Sequence, residues 1–295
     1  MRPVDVPRIT IDFPLLQRTD DLWDFSEPGY ELIARCGRLC EQLIDAVNTE
    51  IRESDQALDI DEAVVGGLLV RMAKLCRAIF DSSQSDQSEA HGPLTRLAAE
   101  TAVTLRWFVK ADDPMASKRF RADSFVFFRQ SGAYAAEGTE ADDELAALIR
   151  EEIDERLALA GLTWDDVPRR DQSWGPNLRQ RFEALGLETF YSMLFKSHSA
   201  YVHPTWHELS ALHLKREGDG YELAYSYAEM MPIGAFVIAQ IMAEAVFDAA
   251  RALPNDLDQE SLRTTVDSTV EASQLLSVEF AEFAGRVGFE PEFMA

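Results

Sequence analysis

The residues whose types and spacing could do chemistry fall in two stretches of the 295-residue chain. One is PLTRLAAETAVTLRWFVK, where Arg96 and Glu100 stand one helical turn apart. The other is LGLETFYSMLFKSHSAYVHPTWHE. Wound as a helix at about 100° per residue, it puts Leu187, Phe190, Tyr191, Leu194, His198, Tyr201 and Val202 on one face, with His198 near the centre. A histidine there is either a core strut, satisfied by a carbonyl and a hydroxyl, or a proton-transfer group. Burial lowers its pKa and a nearby carboxylate raises it, so a carboxylate partner decides between the two.

Glu100 is the carboxylate that suits this role. Leu94, Leu97, Ala98, Thr101, Leu105 and Phe108 cover one face of its helix, and Arg96, Glu100, Val103 and Trp107 nearly the opposite one. A helix apolar on two faces belongs in the middle of a bundle, which places Glu100 inside or at a cleft. A carboxylate there needs a partner, and the choice is a structural ion pair with Arg96 or a Glu-Arg-His cluster. His203 stands directly before Pro204, which disfavours helical backbone for it and puts it at the helix end, where a positive group is stabilised. Ser199, four residues earlier, is its neighbour. His203 therefore reads as a cap or as the better candidate for exposed chemistry, and His198 as the strut.

Among His198, His203, His207 and His213 the one His-x-x-x-His spacing, His203 to His207, has Pro204 inside it, which breaks the helix such a pair needs, and no Glu-x-x-His motif occurs; a metal site would therefore require convergence across a helix end and a strand. No cofactor is expected. The Gly-x-x-x-x-Gly-Lys loop, the Gly-x-Gly-x-x-Gly turn and the Gly-x-Ser-x-Gly elbow are all absent, which removes the enzyme classes that depend on them.

With 52 acidic against 28 basic residues, the net charge of -24 repels phosphate backbones and anionic membranes. RNA is disfavoured and would need a local basic patch. Lys118, Arg119 and Arg121, then Arg169 and Arg170, then Arg179 and Arg181 are the candidates, and they read as solvated faces or ion pairs. Cys36, Cys40 and Cys76 lie in helical patterns and read as core residues of a reduced, cytoplasmic protein. No uninterrupted apolar run approaches the roughly 18 residues of a spanning helix. The segment Met231 to Ala250, with Gln240, Glu244 and Asp248 inside it, reads as a buried core helix.

Residues 1–27 read as an extended arm packing through Ile9, Ile11, Phe13, Leu15 and Leu16, because Pro3, Pro7 and Pro14 interrupt helix. Helices are predicted over 28–54, 61–80, 93–111, 114–131, 140–160, 177–203, 229–253 and 257–286, with Gly66 and Gly67 either admitting a neighbour or weakening the second. Trp164 to Asn177 reads as an ordered loop able to act as a lid. Alternation around Glu217-Gly218-Asp219-Gly220 predicts a hairpin within 208–227. The fold class is all-α: a single multi-helix bundle over 28–295 with a small β-hairpin insertion.

Arg96-Leu-Ala-Ala-Glu100 with Trp107, and Ser199-Ala-Tyr-Val-His203-Pro204, resemble the two motifs of a bacterial family of helical domains of unknown function, over about residues 65–250. That family is distantly similar to the HEPN helical bundles, many of which are metal-independent ribonucleases of toxin, stress and phage-defence systems with an Arg and a His four to six residues apart. This chain has no arginine at that spacing before His198 or His203, and Lys196 is the nearby cation. By this resemblance His203 or His198 would be the base and Lys196 or Arg96 the cation for the phosphorane charge. A dimer joining two helix ends would build a local basic cleft. Three readings follow: an interaction or effector module of a stress or phage-defence system, HEPN-like in its ribonuclease form; a non-catalytic helical domain binding a small molecule or protein partner; and a metal-dependent hydrolase.

Overall fold

The computed structural model describes residues 1–83, 90–111, 113–129, 140–169, 175–196, 214–217, 220–223 and 232–288. In chain order the elements are α1 (Phe13–Leu16), α2 (Trp23–Ser54), α3 (Ile60–Ser83), α4 (His91–Lys110), α5 (Ala116–Asp123), α6 (Glu140–Leu159), α7 (Leu178–Ala184) and α8 (Glu188–Tyr191). A π-helical turn, Ser192–Lys196, continues α8. Strands β1 (Leu214–Glu217) and β2 (Gly220–Leu223) follow, then α9 (Pro232–Ala252) and α10 (Gln259–Val287). The all-α class with one small hairpin is what the sequence predicts.

The most apolar stretch of the chain takes the centre. Helix α9 buries nearly its whole circumference and packs on α2, α4 and α10. A helix apolar all round has no face to give to water, so the others enclose it. It is the one helix among the described residues long and apolar enough to cross a membrane, and it lies inside the bundle. Helices α2, α3 and α4 pack in succession around it. At Gly29 of α2 the helices come so close that a Cβ would lie 2.9 Å from Ala235 Cβ and 3.1 Å from the Phe236 ring. Glycine is required there by contact rather than by backbone conformation. Gly66 and Gly67 have looser surroundings: a Cβ on Gly66 would lie 3.4 Å from Leu58, and one on Gly67 would meet nothing within 4 Å.

The first long helix starts at Trp23, five residues ahead of the predicted start at Pro28. Pro28, inside this helix, has no N–H for the Asp24 carbonyl and crowds it, and buried Phe25 holds the preceding turn on Phe280 and Phe283. Upstream, Arg2 forms a parallel bridge with Leu257, and Asp258 N donates to the Arg2 carbonyl at 2.8 Å. Leu16 is buried and Ile9, Ile11 and Phe13 pack on the core, whereas Leu15 is exposed.

The predicted helix over 114–131 is interrupted at Ser124 and Phe125, after α5. Ala122, Phe125, Val126, Leu157, Leu162 and Val167 form a small second apolar cluster, with Trp164 against it. Trp164 Nε1 donates to Asp154 at 2.7 Å, and its carbonyl accepts from Arg129 at 2.8 Å. The predicted lid is thus anchored at its start; residues 170–174, Trp174 among them, lie outside the described residues.

Candidate functional site

The predicted helix over 177–203 is broken at Gly186. Helix α7 opens with a capping box: Asn177 Oδ1 accepts from Gln180 N at 3.0 Å, and Gln180 Oε1 from Asn177 N at 2.9 Å. It closes seven residues later, where Gly186 adopts φ +69°. Leu187 N donates back to the Phe182 carbonyl at 2.8 Å and Gly186 N to Glu183 at 3.0 Å. This left-handed stop satisfies the last carbonyls of α7, and the chain resumes as α8 in a new direction. Phe190, Tyr191 and Leu194 keep their inward face without being on one continuous helix with α7.

This break lets α7 and the π-helical turn lie against α4. Phe182, fully buried, meets the edges of Tyr191 and Phe195 with centroids 5.6 and 5.7 Å away, and Tyr191 stacks on Phe195 at 5.1 Å and 15°. The Arg96 guanidinium lies over the Phe195 ring, 5.0 Å from its centroid. Phe195 belongs to the π-helical turn, a local widening that recurs at functional sites. The chain therefore brings the first predicted motif, through Arg96, onto the element that leads into the second.

Arg181 is the residue that sequence reasoning missed. Grouped there with solvated cations, it is 7% exposed. Its Nη1 donates to Thr104 Oγ1 of α4 at 2.9 Å and its Nε to the Pro176 carbonyl at 2.9 Å. Burial lowers its pKa, and the charge of Glu100, one turn before Thr104, opposes that shift. The capping box at Asn177 was a legible signal that a short helix begins there. Three of the other basic candidates form ion pairs, as read: Lys118 pairs with Asp166 at 2.6 Å, Arg179 with Glu183 at 2.8 Å, and Arg119 with Asp113, while Arg170 lies outside the described residues.

Glu100 is exposed, not internal. Helix α4 does bury two faces, against α3 and α9 and against α7, but Glu100 sits at the margin of the second, where Thr104 and Trp107 are covered and it is not. Lys196 ends the π turn, and its side chain lies outside the described residues, as do His198, Ser199, His203, His207 and His213. Among the described residues no group of three or more His, Cys, Asp or Glu is arranged to hold a metal. The three cysteines are buried and free.

Two further polar constellations hold the bundle. Arg106 of α4 donates to Asp248 of α9 at 2.9 Å, and Lys110 reaches the same oxygen at 3.1 Å. Glu244, one turn earlier, accepts from Arg263 of α10 at 2.9 and 3.3 Å, with Arg106 at 3.9 Å. At the other end of α4, His91 is 2% exposed and shares a hydrogen bond of 3.0 Å with the Tyr30 hydroxyl through Nδ1. Its Nε2 has no hydrogen-bond partner among the described residues, and burial, partly opposed by the Ser82 carbonyl, pushes its pKa below the ordinary histidine value.

No curated protein and no solved structure matches the chain. A family model does, over residues 62–221, a span that holds α4, α7, the π turn and both predicted motifs, and that ends on Tyr221 of β2. Covering more than half of the 295 residues, this match makes the chain a member of DUF5677, a family of unknown function.

Proposed function

We propose that the protein is an effector module of a bacterial stress or phage-defence system that cleaves RNA without a metal. The observation that carries this reading is the Arg96 guanidinium lying over Phe195. It supports a cation held at the start of the segment bearing His198 and His203, although the two motifs are about 100 residues apart in sequence. A guanidinium holds its N–H donors in its own plane, the geometry in which phosphate oxygens accept them. In the proposed reaction His203, or His198, takes the proton from a ribose 2′-hydroxyl. The 2′-oxygen attacks the adjacent phosphorus, the bond to the 5′-oxygen of the next nucleotide breaks to leave a 2′,3′-cyclic phosphate, and the departing 5′-oxygen takes a proton from water. Arg96, with Lys196, offsets the charge that builds on the phosphorane. Ser199 and Glu100 are assigned to orienting the base and the cation.

The test is cleavage of a defined single-stranded RNA by the purified full chain, with and without chelator. Cleavage should survive chelation, and should fall at least about a hundredfold in His203→Ala and in Arg96→Ala, in line with loss of a proton-transfer or charge-stabilising group. Activity unchanged in both variants sinks the ribonuclease.

A second reading, a non-catalytic domain that binds a small molecule or protein, is favoured by Arg181. Its Nε and Nη1 donate to neutral oxygens of the fold itself, as a strut between α4 and α7 would have them.

A further inference from the structure

Arg38 and Glu41 stand one turn apart on α2, at the spacing of an ordinary helical ion pair, yet they do not pair with each other. Among the described residues Glu41 has no hydrogen bond or ion pair. Arg38 has no hydrogen bond there either, and its ion pair with Glu31 spans 3.9 Å. Its Nε is buried without an acceptor, an uncommon state for a donor in a folded protein. Both residues line a cavity of about 210 Å³ between α2 and α3. The two helices come close at Gly37, where a Cβ would lie 3.1 Å from the Cys76 Cβ, and beside that contact the small side chains of Ala34 and Ala73 leave space unfilled. Phe80 and Cys76 complete the apolar wall. The Cys76 thiol stays neutral, because a hydrogen bond with Cys40 and burial raise its pKa, with the charge of Glu41 adding to the shift. Arg77 and Asp81, 73% and 61% exposed, pair with each other at 3.4 Å along the edge. Every residue that lines the cavity is among the described ones.

We propose that this cavity binds a small zwitterion with an apolar body, an aliphatic α-amino acid in size and chemistry, whose carboxylate meets Arg38 and whose ammonium meets Glu41. The charges of the lining set the class. A bare anion would meet two carboxylates on a chain of net charge -24, and a metal ion would meet two guanidinium groups. A molecule that carries both charges satisfies one unpaired group of each sign and takes each out of water against an opposite charge. Ala34, Ala73 and Phe80 offer its side chain an apolar surface. The volume lies below the roughly 300 to 1,000 Å³ of drug-sized sites, which limits the occupant to a small metabolite. The inference goes beyond the ribonuclease reading and holds whether or not RNA is cut.

The experiment is isothermal titration calorimetry of the full chain with each of the common α-amino acids as probe. At least one aliphatic amino acid should bind saturably, at one site per chain. The same compound without its amino group, or without its carboxylate, should bind at least about tenfold more weakly, and so should the intact amino acid with Arg38→Gln or Glu41→Gln. Neither side chain belongs to the buried core, so far-ultraviolet circular dichroism of both variants should match the wild type. Ala34→Leu fills the cavity from a partly exposed position and should abolish binding with the helical signal intact. Four results would each overturn the site: no saturable binding of any α-amino acid by the wild type, an affinity unchanged by Arg38→Gln or by Glu41→Gln, an affinity unchanged by Ala34→Leu, or equal binding of the compound without its amino group, which would mark a site for anions alone.

Discussion

Replacing Asp248 by alanine should cost more stability than any other single truncation in the polar framework of the bundle. Its carboxylate has 5% of its side chain exposed and accepts from Arg106, whose side chain is 10% exposed, and from Lys110, which is 45% exposed. Removing one member of a buried pair strands the other charge, at a cost of about 3 to 5 kcal/mol. The lower end applies, because Arg106 keeps Glu244 at 3.9 Å as a distant counter-charge. Asp248→Ala is therefore expected to lose about 3 kcal/mol, whereas Lys110→Met, on the solvated side of the same oxygen, should lose under about 1 kcal/mol. Removing both buried charges leaves no stranded ion, so Arg106→Met combined with Asp248→Ala should recover at least about half of the loss. Urea unfolding followed by far-ultraviolet circular dichroism and tryptophan fluorescence gives the three values, provided the two probes coincide. A loss below about 1 kcal/mol for Asp248→Ala, or a double variant no better than the single one, would refute the account of a buried, mutually dependent pair.

Two further predictions come from α4 and α2. Burial depresses the His91 pKa in the folded state, so the unfolded chain binds the proton more readily. The stability that neutral His91 contributes is complete above the unfolded value of about 6.5 and is lost as pH falls through the folded value. The urea midpoint should thus fall more between pH 7.5 and 5.5 in the wild type than in His91→Gln, and equal falls would show that His91 does not titrate in this way. Gly29→Ala adds a methyl 2.9 Å from Ala235 Cβ, between two helix backbones that must separate to admit it. Despite the better helix propensity of alanine, a net loss of about 1 to 3 kcal/mol is expected in the same assay; a gain would show that α2 and α9 part freely.

Much of the candidate site was legible in part only. Arg96 and Glu100 were found from their spacing, and α4 does carry two buried faces, but the sequence could not show that Glu100 sits at a margin. The boundary between covered and open positions on α4 is drawn by α7, some 80 residues later. Arg181 was misread for the same reason. Its neighbours in sequence, Arg179 and Glu183, form an ordinary surface pair, and only the approach of Thr104 makes it a buried cation. The break at Gly186 was readable in principle, since glycine after a capped seven-residue helix is a stop signal, but the apolar period that runs from Leu187 to Val202 masked it.

What the sequence determined by itself is what local forces determine. Apolar period and end signals predict α3 over 61–80 and α10 over 257–286, and the helices are Ile60–Ser83 and Gln259–Val287. Alternation around a Gly-rich turn predicts the hairpin, found at Leu214–Leu223. The tertiary structure decided which polar groups the bundle encloses. Arg106 meets Asp248 across 142 residues, Tyr30 meets His91 across 61, and Arg181 meets Thr104 across 77. Each of these residues is unremarkable in its own helix, because burial of a polar group depends on which distant helix covers it and not on the period of the helix that carries it.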